Sequence, residues 1–160
     1  MKVIKNIEQV LDDILDFLKS DLNNCIAKVN SEYTDGIVLS SVNDASYYID
    51  LAELPAEEKV FVNIVVDDSI KLDPNNHART AVELNLVVSL WFSMEDAGNN
   101  NTDYRKGLRY ADALLRTLGN RTNNSVNFGY EMTTLLPVRN KFDTGAQMIG
   151  TGVQLSYKFA

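Results

Sequence analysis

A chain of 160 residues with 45% apolar content is long enough for one hydrophobic core and too apolar to stay disordered. Fifteen basic against 22 acidic residues leave a net charge of −7, which excludes the basic footprint of a sequence-independent nucleic-acid binder but not passage of DNA through a channel. The lone Cys25 excludes an intrachain disulfide, and the apolar runs are too short and too interrupted for a membrane-spanning helix.

The N-terminus, Met1-Lys2-Val3-Ile4-Lys5-Asn6, shows no apolar signal run, so no secretory leader is expected. The first element is a long helix over 7–29. Ile7, Val10/Leu11, Ile14, Leu18, Leu22, Cys25/Ile26 and Val29 recur every three or four residues and form one apolar stripe. Asn6 with Gln9 has the pattern of a capping box. Ser20-Asp21 and Asn23-Asn24 are places where the helix would break or kink, and 30–36 ends it.

Short strands are expected at Ile37-Val38-Leu39 and Tyr47-Tyr48-Ile49, and a turn at 54–59. Val60, Val62, Ile64 and Val66 alternate on one face of the next strand. A polar loop over 67–79 follows. The central strand, 80–92, puts Val82, Leu84, Leu86, Val88, Leu90 and Phe92 on a core face. Its other face carries Glu83, Asn85, Val87, Ser89 and Trp91. A second helix, 104–118, sets Tyr104, Leu108, Ala111, Leu115 and Leu118 on one side, with Leu114 adjacent, and Gly119-Asn120 reads as its C-cap. A strand over 126–135 is limited by Pro137, a glycine-bearing link spans 138–152, and 153–159 is the last strand. The pattern is an α+β domain over 1–160: two helices on one face of a mixed, mainly antiparallel sheet.

Little in the sequence points to a reaction centre. His77 is a lone histidine in the Asp73-Pro74-Asn75-Asn76-His77 loop, where a solvated turn residue is the ordinary reading. Asp67-Asp68 caps a strand or, read functionally, offers paired carboxylates to a cation or to acid–base work near His77. Cys25 could pair with His77 as nucleophile and base, but it sits on a helix's apolar stripe, where a small buried hydrophobe belongs. The glycines of 145–152 open a strand and lack the lysine of a phosphate loop. No cofactor, metal or catalytic residue is assigned, and no enzyme activity is expected. Val87 and Trp91 are candidate interface residues, since a tryptophan on an outward sheet face suits a partner. Arg105, Lys106 and Arg109, with Arg116 and Arg121 beyond, form either the solvated side of a helix or a rim that meets acidic residues of a neighbouring subunit. Asp67, Asp68 and His77 complete the candidate interface set.

The element order, the central strand, the helix Tyr104 to Leu118, the closing strand Val153 to Phe159 and the long first helix together resemble tail terminator, or tail completion, proteins of long-tailed bacteriophages. The likeness lies in order and texture over most of the chain. It implies a homo-oligomeric ring, commonly a hexamer, at the head-proximal end of the tail. Such a ring ends tail-tube growth on the major tail tube protein and offers a surface to the head–tail connector, with DNA only as passing cargo and no membrane contact. It would assemble in the host cytoplasm and reside in the virion. The alternatives are an adaptor or inhibitor binding one protein through an exposed strand edge, another neck, connector or tail-tube subunit, and a small enzyme using Asp67, Asp68 and His77. The loops 67–79 and 138–152 are expected to order on assembly, being long for connections between neighbouring strands.

Overall fold

The computed structural model describes residues 6–51, 55, 58–66, 70–72, 81–94, 100–119, 130–143 and 146–158. It is an α+β fold. Helix α1 spans Ile7–Ser31 and helix α2 spans Asn100–Gly119. The strands are β1 (Tyr47–Ile49), β2 (Val60–Val66), β3 (Lys71–Leu72), β4 (Ala81–Ser93), β5 (Tyr130–Asp143) and β6 (Ala146–Lys158). They form one sheet in the order β1-β2-β4-β6-β5, with β3 pairing the start of β4 on the same side as β2. Among the described strands, only β1 and β2 pair in parallel.

The capping box at the start of α1 is present. The Gln9 amide donates to Asn6 Oδ1 at 2.8 Å, and the Asn6 amide donates to Gln9 Oε1 at 2.9 Å. Helix α1 continues through both expected break points. Ser20 turns its hydroxyl back onto the Phe17 carbonyl at 2.8 Å, and Asn23 uses its side chain elsewhere.

The core face of β4 is as its alternation requires: Leu84, Leu86, Val88, Leu90 and Phe92 are buried, and β4 continues one residue beyond the expected end. They share one cluster with Leu11, Ile14 and Leu18 of α1 and Leu114 and Leu118 of α2. The expected face of α2 needs correction. Tyr104 and Leu108 point outward, while Tyr110, Ala113, Leu114, Thr117 and Leu118 point in. The apolar count along the helix fits two overlapping stripes that share Ala111 and Leu118. Buried polar groups, Asp103, Arg109 and Thr117, select the other one.

The C-terminal half also departs from expectation. The stretch 138–152 is no link: β5 and β6 form a long hairpin through it, with Asp143 opposite Ala146. Pro137 does not end β5. The register between β5 and β6 shifts between Leu136 and Arg139, and β5 lies at the sheet edge, so the missing proline N–H falls where a ladder bond is not required. Gly150 is needed within β6 because the Trp91 ring lies against it; a Cβ there would stand 2.4 Å from Trp91 Cε3.

Ile37-Val38-Leu39 is an extended strap, not a strand, and its backbone bonds go to asparagine side chains of α1. Asn30 accepts from the Leu39 amide at 2.8 Å and donates to the Leu39 carbonyl at 3.0 Å. Asn23 does the same for Val42, at 2.8 and 2.9 Å. Seven helical residues rise about 10.5 Å, and three extended residues about 10 Å, so the two clamps fall in step. Leu39 and Val42 are thereby held in the core.

Asn23→Ala should strand the Val42 amide and carbonyl and cost about 1–3 kcal/mol, the desolvation penalty of an unmet buried group. The exposed neighbour variant Asn24→Ala should stay within about 0.5 kcal/mol of the natural chain. Urea unfolding of the two variants measures the contrast.

Candidate interface surfaces

Both helices cover one face of the sheet, so among the described residues the surfaces left for function are the opposite face, the β1 and β5 edges and the outer side of the helix layer. On the opposite face, register sets Phe61 beside Trp91, and Trp91 beside Gly150. Phe61 and Met148 are fully buried there, packed with Tyr48, Leu51 and Trp91. Trp91 is therefore half-covered by its own chain, and Tyr48 and Leu51 pack against the same Phe61–Met148 cluster. The indole N–H donates to Ser89 Oγ at 3.2 Å, so its polar atom is satisfied within β4. The Tyr48 hydroxyl donates to Glu58, which holds the phenol above its ordinary pKa. Val87 is half-buried further along, with Gly152 beside it. Beyond it the face turns polar through Asn85, Gln154, Ser156 and Glu83, where Ser156 donates to Glu83 at 3.0 Å.

The basic residues of α2 do not act together. Arg109 is 6% exposed and lies inside the chain's own structure. It forms an ion pair with Asp35 through both nitrogens, donates to the Ile37 carbonyl at 3.2 Å, and stacks on the Tyr33 ring with Cζ 3.6 Å from the centroid. That geometry corrects the reading of Arg109 as part of an intersubunit rim: its charge is matched by Asp35. Arg116 is likewise paired with Glu32 at 2.6 Å and with Asp112 at 2.9 Å. Arg105 is exposed, and Lys106 borders a small cleft with Val38, Ser40 and Lys59. The planar fork of arginine explains why Arg109 and Arg116 serve as clamps; each takes a carboxylate and a second partner at once. The spacing of the chain carries no signal for the Asp35–Arg109 pairing, which links residues 74 apart in sequence.

The β5 edge exposes Glu131, Met132, Thr133, Thr134 and Leu135 in succession. Two register shifts, between Met132 and Thr134 and between Leu136 and Arg139, together with Pro137, blunt it as a template for strand addition. Asp67, Asp68, His77 and Arg121 lie outside the described residues, as does most of the 67–79 loop. Ile70 packs against the core and Lys71–Leu72 forms β3, so that stretch is not loop throughout. Cys25 is buried in the core, in keeping with its place on the α1 stripe. Among the described residues, no three His, Cys, Asp or Glu side chains group as metal ligands would. No protein-family model matches the sequence, and no curated protein matches it.

A Cβ at position 150 and the Trp91 ring compete for one volume. Gly150→Ala should cost about 1–3 kcal/mol in the natural background through overpacking. In a Trp91→Ala background it should cost less, with a coupling of about 0.5–3 kcal/mol in a double-mutant cycle read by denaturant unfolding.

The hydrogen bond from Arg109, aided by the Ile37 amide and the Arg109 charge, outweighs desolvation and lowers the Asp35 carboxyl from its ordinary 3.8 to about 2. A group depressed on folding stabilises the fold above its unfolded pKa and loses that contribution as pH falls through the folded one. The stability difference between the natural chain and Asp35→Asn should therefore be constant above about pH 5 and shrink between about pH 4 and 2. Thermal melts at stepped pH give the curve.

Proposed function

We propose that the chain is a ring-forming subunit at the head-proximal end of a long-tailed phage tail, where it ends tail-tube growth and receives the head connector. The observation that carries this reading is the one-sided build of the fold. Helices α1 and α2 both lie on one face of a mainly antiparallel sheet. The opposite face keeps Val87 half-buried beside polar Asn85, Ser89 and Gln154, and Trp91 half-buried against the cluster of Phe61 and Met148. Half-buried apolar groups bordered by polar ones suit a contact completed by another protein. A subunit that repeats this contact head-to-tail closes into a ring when the rotation allows. The acidic balance suits DNA passing through such a ring, because a basic bore would retain it.

The blunted β5 edge and the three-residue β1 edge weigh against the adaptor reading, which needs a longer strand edge free to pair. Polymerising tail tubes with and without the purified chain tests the proposal. Capped tubes of limited length, with ring density at one end in electron micrographs, are the expected result. Tubes that grow equally long with the chain present, and carry no density at either end, would contradict it.

A further inference from the structure

The outer side of α2 carries an apolar stripe that its own chain leaves uncovered. Tyr104 is 52% exposed and Leu108 is 49% exposed. They lie one turn apart, and the partly buried Leu115 continues the line two turns on. Steps of four and seven residues are the spacing of a seam between two helices. Arg105 and Asp112 border this stripe on one side. Being seven residues apart, they lie on the same face of the helix. Arg105 is exposed and forms no ion pair with another described residue. The Asp112 side chain is 43% exposed, and its 2.9 Å contact with Arg116 uses one of its two oxygens, Oδ2.

We propose that this face of α2 pairs antiparallel with the same face of a second copy, about a two-fold axis beside Leu108. The charge pattern selects both the occupant and the direction. In the antiparallel pair, Leu108 meets Leu108 of the second copy, and Tyr104 lies against the turn from Asp112 to Leu115. Arg105 comes opposite Asp112 twice, once from each side. A parallel pair would set Arg105 beside Arg105 and Asp112 beside Asp112. A contact that completes itself in this way is isologous and needs no other protein. The whole-chain charge of −7 opposes association. That repulsion is screened beyond about 8 Å at physiological salt, and on the local face Arg105 and Arg116 are balanced by Asp112 and Glu32. The pairing uses the helix layer and leaves the opposite sheet face clear. It therefore goes beyond the ring reading and does not rest on it.

Sedimentation equilibrium of the full chain, without tail tubes, tests the pairing. With ring closure reserved for the tube end, the expected mass without tubes is twice 17.9 kDa for the natural chain and 17.9 kDa for Leu108→Asp. Arg105→Asp and Asp112→Arg alone should each weaken pairing by about two- to thirtyfold, the worth of two exposed ion pairs, and the two together should recover most of it. Thermal melts at concentrations too low for pairing should hold steady for Leu108→Asp and Arg105→Asp, whose positions are on the surface, while Asp112→Arg, which also loses its contact with Arg116, should melt slightly lower. A natural chain of single-copy mass, or a two-copy mass indifferent to Leu108→Asp, overturns the proposal. Charge variants whose losses add in the double variant overturn it as well. A larger ring that Leu108→Asp leaves intact overturns the pairing and leaves the ring reading standing. Two-copy pairing in a chain that never caps tail tubes leaves the pairing standing and removes the ring.

Discussion

The unbroken apolar face of β4 is the constraint on which the rest depends. Leu84, Leu86, Val88, Leu90 and Phe92 present one continuous surface, and every other large element is arranged to cover or extend it. Strand β2 continues that face through Val60, Val62 and Ile64, and β6 through Ile149, Val153 and Leu155. Two helices are needed because the combined surface is wider than one helix can cover, since a helix is only about 10–12 Å across with its side chains. Both must lie on the same side, since the period of two sends the alternate residues to the other face. The one-sidedness that supports a role in assembly is thus a direct consequence of one strand's alternation.

Closing the helix layer takes polar chemistry. The strap after α1 has no secondary structure to meet its backbone groups, and Asn23, Asn30, Tyr110 and Arg109 meet them instead. The Tyr110 hydroxyl donates to the Ser40 carbonyl at 2.9 Å while its ring packs on Phe92, so one residue joins α2, the strap and β4. Arg116 and Glu32 fasten the end of α1 to α2. Each is a surface or border contact of modest worth alone, but together they fix where the strap lies. That placement buries Arg109 and turns Tyr104 and Leu108 outward.

Periodic features were legible in the sequence and long-range polar ones were not. The α1 stripe, its capping box, β2 and the β4 core face all follow from spacing alone. The face of α2 was misread because an apolar count cannot tell that Arg109 and Thr117 find partners inside. Thr117 donates to the Ala113 carbonyl at 2.8 Å, and Arg109 meets Asp35, a residue far away in the sequence. The hairpin of β5 and β6 was hidden by Pro137 and by the glycines of 145–152, which ordinarily mark loops. Here a register shift absorbs the proline, and Trp91 occupies the space that a side chain at Gly150 would fill. Trp91 itself was legible as an outward residue of β4. Cover of that face by the 31–59 segment was open as an alternative, and the cluster of Phe61 and Met148 brings Tyr48 and Leu51 of that segment to the same face as Trp91.

Leu86 and Val87 are adjacent in β4 and lie on opposite faces of the sheet, which makes them the most direct test of a one-sided core. Urea unfolding of Leu86→Ala should show a loss of about 2–5 kcal/mol, the cost of emptying a fully buried leucine site. Val87→Ala, on the half-buried face, should lose less than half as much, after allowing for its smaller side chain. Equal losses at the two positions would mean that both faces are core, and would contradict the account.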